Sequence, residues 1–118
     1  MPYRLAKDEE ETQEPFDRIP PEEAYRMVES GEAVLIDVRE QNEWDEGHMP
    51  KARHVPLQTF LSDPTKYVSP DQKVIFSCAS GQRSAVAAEM AAAVGVKQSY
   101  NLEGGIKAWS EKGLPVEK

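Results

Sequence analysis

Short apolar runs separate longer amphipathic segments along most of the chain. The runs AVLIDV at 33–38 and KVIFS at 73–77 are continuous apolar stretches, which are typical of strands buried on both faces of a sheet. QSYNL at 98–102 predicts a third strand, and RHVPL at 53–57 predicts a brief extended piece.

The segments between these strands carry helix signals. Residues 20–31 begin with prolines and two glutamates, which suit a helix N-terminus, and they end at Gly31. The predicted apolar face of this helix comprises Ala24, Met27 and Val28. Short helices are also predicted at 40–45, 57–64 and 104–113, the last with Ile106 and Trp109 facing inward.

The alanine-rich segment SAVAAEMAAAVG at 84–95 is the strongest helix signal, because alanine has the highest helix propensity. Val86, Met90 and Val94 recur at every fourth position and predict its apolar stripe, and Gly95 suits its C-terminus. Strands that alternate with helices predict an α/β fold of three layers, in which helices flank a central, mostly parallel sheet on both faces.

The charge is distributed unevenly along the 118 residues, whose formal net charge is −7. Residues 1–15 contain five acidic and two basic residues, so we expect a flexible acidic arm there and one folded domain over 16–118. Lysine and arginine form no basic stripe, which argues against a nucleic-acid partner. No apolar run approaches the roughly 20 residues that span a bilayer. We therefore expect a soluble cytoplasmic protein without a membrane partner.

The chain has one cysteine and two histidines. A single cysteine excludes an internal disulfide and a cysteine-rich zinc site. His48 and His54 lack the spacing of metal ligands, so we expect no metal site.

The cysteine lies in SCASGQRS at 77–84, between a predicted strand and a predicted helix. Ligands of open α/β sheets bind beyond the carboxyl ends of strands, and a helix N-terminus there lowers a thiol pKa. Gly81 allows the backbone to curl so that its N–H groups converge on an anion, and Arg83 adds a planar cation suited to oxyanions. The pattern predicts that Cys78 is a nucleophilic thiolate, whereas an inert core cysteine is the alternative that this polar loop disfavours.

Several motifs, in this order, resemble the single-domain rhodaneses, a sulfurtransferase family. They are LIDVRE (35–40), EWDEGHMPKARHVPL (43–57), CASGQRSAVAA (78–88), NLEGGIKAW (101–109) and GLPV (113–116). The resemblance implies that Cys78 accepts a sulfane sulfur as a persulfide, without a metal or organic cofactor. The donor would be thiosulfate or a persulfide, and the acceptor would be a thiol, cyanide or a protein partner. The substrate-binding loop would comprise Ala79, Ser80, Gly81, Gln82, Arg83 and Ser84.

The resemblance also suggests structural roles near this loop. Asp37 and Arg39 would belong to an ion-pair and hydrogen-bond network, and His48 would stabilise a turn. Ser84 would donate a hydrogen bond in the loop or cap the long helix. Two further expectations are a tight strand-to-helix turn at Gly104 and Gly105, and packing roles for Trp44 and Trp109.

Two other classes of function use related domains. Dual-specificity phosphatases and some arsenate reductases place five residues between the cysteine and the arginine, whereas this chain has four, Ala79 to Gln82. The resemblance to the rhodaneses implies that the shorter loop makes a smaller cradle, better suited to sulfur than to phosphate. Regulatory binding modules have often lost the cysteine, but this chain retains Cys78 and Arg83. A persulfide carrier that serves a protein partner remains an alternative.

Overall fold

The computed structural model describes residues 14–118, which contain one five-stranded sheet in which every strand pairing is parallel. The predicted acidic arm lies, up to residue 13, outside the described residues. The strands are β1 Asp17–Ile19, β2 Val34–Asp37, β3 Arg53–His54, β4 Lys73–Ser77 and β5 Gln98–Leu102. Their spatial order is β1-β5-β4-β2-β3, so β4 lies at the centre.

Helices follow the strands in sequence, as the alternating pattern predicts. They are α1 Pro21–Glu29, α2 Gln41–Asp45, α3 Leu57–Ser62, α4 Gln82–Ala93 and α5 Gly105–Glu111, with one turn of 3₁₀ helix at Pro64–Lys66. No helix in residues 14–118 is both long enough and apolar enough to cross a membrane.

Alternating side chains of the central strands divide the core between the two faces of the sheet. Val74 and Phe76 pack with Phe60 of α3 and the alanines of α4 on one face. Ile75 packs on the other face, against α1 and the fully buried Trp109 of α5. The predicted α/β architecture with helices on both faces is therefore confirmed.

The predicted apolar stripe of α4 is wrong at Val86, which is 46% exposed. Met90 and Val94 are half-buried and pack against the core. Every fourth residue advances about 40° around a helix, so such a stripe drifts off the buried face. The helix instead buries small residues, which allow it to lie close to the sheet: Ser84, Ala87, Ala88 and Ala91.

The edge strand β1 is missing from the sequence-based prediction. Its side chains are mostly polar, with Asp17 and Arg18 exposed and Ile19 buried, so three residues give too little pattern to identify a strand. The strand exists because its backbone pairs with β5, where Ile19 lies opposite Leu102.

Candidate active site

Three strands end at the same edge of the sheet and bring the predicted site residues together. Asp37 of β2 lies opposite Ser77 of β4, and Phe76 of β4 lies opposite Asn101 of β5. Cys78 follows β4 directly, so residues 78–83, here called the Cys78 loop, lie between the segments that follow β2 and β5.

The Cys78 loop turns its backbone N–H groups towards the thiol sulfur. Gly81 N donates to Cys78 Sγ at 3.2 Å, and Ser84 N donates at 3.3 Å. The turn requires a φ of +109° at Gly81, a backbone conformation that glycine adopts without a steric penalty. Cys78 is 1% exposed, so its sulfur is buried together with these donors.

These hydrogen bonds set the acidity of the thiol. Burial alone raises the pKa of Cys78, but hydrogen bonds from the Ser84 hydroxyl and from the N–H groups of Ser84, Gly81 and Ser80 outweigh burial and lower the pKa below its usual value. The Ser84 hydroxyl lies 3.3 Å from Sγ, but it has one proton, which it donates to Asn101 Oδ1 at 2.5 Å. The backbone N–H groups lower the pKa of Cys78 irrespective of which atom accepts that proton.

Asn101 connects the loop to the first turn of α4. Its Nδ2 donates to Gly81 O at 3.1 Å, while its Oδ1 accepts the Ser84 hydroxyl proton. Asn101 is fully buried at the carboxyl end of β5, so a rigid strand holds both the loop and the first turn of α4.

The N-terminus of α5 holds the loop from the other side. Ile106 N donates to Cys78 O at 2.9 Å, and Lys107 N donates to Ala79 O at 3.1 Å. The close approach depends on Gly105, whose φ is +60° and whose missing side chain leaves room for the backbone of Cys78 and Ala79. The predicted tight turn at Gly104 and Gly105 is confirmed, with φ of +75° and +60°.

Arg83 makes a two-pronged ion pair with a carboxylate from α2. Its Nη1 and Nη2 donate to Glu43 Oε1 and Oε2 at 2.8 and 2.9 Å. The hydrogen bond from Arg83 is the main reason why the pKa of Glu43 falls to about 2, despite partial burial. Glu43 therefore stays ionised at neutral pH, and the pair stabilises the fold above the usual glutamate pKa and loses that effect as the pH falls towards 2.

A buried network fixes the segment that carries α2. Arg39 Nη2 donates to Asp37 Oδ2 at 2.8 Å and to Gly47 O at 2.7 Å, and both charged side chains are almost completely buried. This network fixes the start of α2, and with it the position of Glu43, relative to the end of β2.

Both histidines stack on one tryptophan. The centroid of the Trp44 ring lies 3.7 Å from the centroid of the His48 ring and 4.8 Å from that of the His54 ring. His48 Nδ1 is 3.1 Å from Trp44 O, and His54 Nε2 is 2.7 Å from Arg39 O, so each ring nitrogen donates to a carbonyl. Neither ring makes a hydrogen bond to the loop within the described residues, and no group of three potential metal ligands occurs there.

A groove of about 290 Å³ borders the loop on the side of β1 and β5. The loop contributes Ser80, Gly81 and Gln82 to the groove, and Arg18 and Glu103 face them. Cys78 does not line this groove.

Two residues that contact the loop, Glu43 and Asn101, are not among the site residues predicted from the sequence. Asn101 carried a weak signal, since asparagine is depleted in strands and a polar residue at the buried end of one requires a partner. Glu43 also forms a capping box with Glu40, which explains its position in α2. That motif does not indicate that Glu43 pairs with Arg83. The suggestion that Ser84 caps α4 is wrong, because Gly81 occupies the N-cap and Ser84 lies in the first turn.

The Rhodanese-like domain model matches residues 20–112 of this chain. The chain belongs to the rhodanese-like family. A relative from Pseudomonas fluorescens, named thiosulfate sulfurtransferase GlpE, is 36% identical over 94 residues, which cover 80% of this chain and 84% of the relative.

Solved rhodanese-like structures have the same fold. A rhodanese-related protein from Thermoplasma volcanium superposes with a TM-score of 0.75 at 29% identity, covering 86% of this chain and 98% of that protein. A protein of unknown function from Rhodopseudomonas palustris, described as a possible tyrosine phosphatase, has a TM-score of 0.75 at 28% identity and covers 99% of both chains.

Proposed function

We propose that this rhodanese-like protein is a sulfurtransferase, in which Cys78 takes a sulfane sulfur from a donor such as thiosulfate and passes it to a thiophilic acceptor. The observation that carries the proposal is the convergence of Gly81 N and Ser84 N on Cys78 Sγ, at 3.2 and 3.3 Å. These donors stabilise negative charge on sulfur before and after the transfer.

The first half-reaction forms one sulfur–sulfur bond and breaks another. The Cys78 thiolate attacks the outer sulfur of thiosulfate, the bond between the two sulfurs of the donor breaks, and sulfite leaves with the electron pair. Cys78 is left as a persulfide anion, so the total charge of −3 on the reacting groups is unchanged.

The second half-reaction restores the enzyme. An acceptor nucleophile such as cyanide or a thiolate attacks the outer sulfur of the persulfide, and the Cys78 thiolate leaves. The chain has no second cysteine, so an internal disulfide cannot release the sulfur. The persulfide therefore persists until an external acceptor arrives, which predicts ping-pong kinetics.

Mass spectrometry tests this scheme directly. We expect the intact protein to gain one sulfur atom after treatment with thiosulfate or a persulfide donor, and to return to its original mass after cyanide or a small thiol is added. Cys78→Ser should show neither change while it keeps the fold. A wild-type protein that gains no sulfur from either class of donor would refute the proposal, as would turnover by the serine variant.

The phosphatase alternative is tested in the same samples with an aryl phosphate. The four residues between Cys78 and Arg83 make the loop one residue shorter than that of the related phosphatases, so we expect negligible phosphate release. Efficient hydrolysis that is lost in Cys78→Ser would favour the phosphatase instead.

A persulfide carrier for a protein partner uses the same first half-reaction. Stable sulfuration of Cys78 with slow transfer to every small acceptor would favour the carrier role over the enzyme.

A further inference from the structure

Arg83 is the arginine of the Cys78 loop, but its hydrogen-bonding end is already occupied. Glu43 accepts from both terminal nitrogens, at 2.8 and 2.9 Å, so the parallel pair of donors that suits an oxyanion is directed at a carboxylate. An anionic donor that approaches Arg83 must displace Glu43 or bind to the remaining N–H groups.

The position of Glu43 is fixed by contacts other than Arg83. Its Oε1 accepts from Glu40 N at 2.9 Å, and its backbone carbonyl accepts from Arg39 Nη1 at 3.3 Å. Arg39 is itself held by the buried carboxylate of Asp37. The carboxylate of Glu43 is therefore placed at Arg83 by the β2–α2 segment rather than drawn there as a mobile surface group.

The ion pair is also accessible enough to meet a substrate. The side chains of Arg83 and Glu43 are 36% and 28% exposed, and Arg83 belongs to the Cys78 loop. A donor that reaches the loop from this side meets a neutralised arginine and a fixed negative charge. Specificity often arises from such an element that disfavours one class of ligand.

We propose that Glu43 determines the donor preference of the Cys78 loop, disfavouring dianionic donors such as thiosulfate and favouring donors that carry at most one negative charge, of which small thiol persulfides are the matching chemical class. The proposal rests on the proposed sulfur transfer through Cys78. The persulfide reaction is balanced in the same way: the Cys78 thiolate takes the outer sulfur, the donor's sulfur–sulfur bond breaks, and the donor's thiolate leaves.

Glu43→Gln separates charge from shape. Glutamine retains an acceptor oxygen for Glu40 N and for one nitrogen of Arg83 but removes the negative charge. We expect the KM for thiosulfate to fall about fivefold with little change in kcat, the scale of a partly exposed ion pair. The KM for the persulfide of 2-mercaptoethanol should change less than about twofold, because that donor brings less charge.

Two further variants identify the cause. Glu111→Gln makes the same change of net charge on an exposed residue of α5 and should leave both KM values unchanged. In an Arg83→Ala background, Glu43→Gln should lose most of its effect on thiosulfate, because the guanidinium it would release is absent. Glu43→Ala should also lower the KM for thiosulfate. Thermal unfolding of this variant shows whether α2 tolerates the loss of its capping box.

The outcomes distinguish this proposal from the proposed function. If wild type gains sulfur but Glu43→Gln leaves the thiosulfate KM unchanged, or lowers the KM of both donors equally, Glu43 does not select donors by charge. The same conclusion follows if Glu111→Gln gives the same improvement. If wild type gains sulfur from neither donor, the proposed function itself fails, and the role of Glu43 fails with it.

Discussion

Gly105 is the first residue of α5 and lies against the backbone of the Cys78 loop, and Gly105→Ala tests whether this close contact holds the loop in place. An alanine methyl at this position would lie 2.6 Å from both Ala79 C and Ala79 O, and closer still to Cys78 O. Contacts to backbone atoms cannot be relieved by turning a side chain, so either the loop or the first turn of α5 must move. Both movements lengthen the hydrogen bonds from Ile106 N and Lys107 N.

The loss of unfolding free energy in Gly105→Ala has two causes, and the matched variant Gly113→Ala separates them. A left-handed φ costs an alanine about 1 kcal/mol relative to glycine, and this applies to Gly105 at +60° and to Gly113 at +74°. Overpacking adds about 1–3 kcal/mol, and it applies to Gly105 alone, because no atom lies within 4 Å of a methyl at Gly113. We expect Gly105→Ala to lose about 2–4 kcal/mol of unfolding free energy and Gly113→Ala about 1 kcal/mol.

Urea denaturation measures both costs, and the rate of sulfur uptake by Cys78 reports the loop. Gly105→Ala should slow uptake well beyond any loss explained by unfolded protein, whereas Gly113→Ala should leave uptake unchanged. Equal destabilisation by the two variants would show that the loop–helix contact contributes nothing beyond the backbone conformation. Normal uptake by a destabilised Gly105→Ala would show that α5 stabilises the fold without positioning the loop.

Two further predictions concern the groups around the sulfur. Asn101→Ala removes the hydrogen-bond partner of Gly81 O and of the Ser84 hydroxyl. We expect the rate of sulfur uptake to fall about tenfold, and the free energy of unfolding to fall by about 1–3 kcal/mol because buried polar groups are left unsatisfied. Unchanged uptake kinetics would exclude a positioning role for Asn101. The alkylation rate of Cys78 should rise with pH as the thiolate forms, with a midpoint below the free value of about 8.5. Ser84→Ala should retain part of that lowering, since the backbone donors remain, and a midpoint restored to the free value would assign the effect to the hydroxyl.

Local patterns predicted the framework well because each strand and helix carries its own signal. β4 and β5 occupy the predicted residues 73–77 and 98–102, and the apolar run of β4 ends at a glycine-containing loop. α1 buries the predicted Ala24, Met27 and Val28, because its apolar positions follow the period of the helix. The position of Cys78 after β4 could likewise be inferred from the strand–loop–helix order.

Contacts between distant segments could not be inferred in the same way. Glu43 and Arg83 are 40 residues apart in sequence, and they meet because β2 and β4 are neighbours in register. Asn101 reaches Gly81 through the adjacent pairing of β4 with β5. In the sequence, Arg83 in the same loop as Cys78 suggests an anion-binding site. Only the order of the strands in the sheet shows that the Glu43 carboxylate already binds this arginine.

The two helices around the loop use their N-terminal N–H groups for different purposes. Those of α5 bind Cys78 O and Ala79 O, which fixes the orientation of two successive peptide groups. In a trans peptide the carbonyl and the following N–H point in opposite directions, and the described residues contain no cis peptide. Carbonyls held towards α5 therefore turn the N–H groups of Ala79 and Ser80 away from α5, and the N–H of Ser80 is one of the groups that lower the pKa of Cys78. The first turn of α4, beginning after Gly81, is then free to direct Ser84 N at the sulfur. The contact at Gly105 thus determines the direction of the donors as well as the position of the loop, which is why a single methyl there should impair sulfur uptake more than stability alone explains.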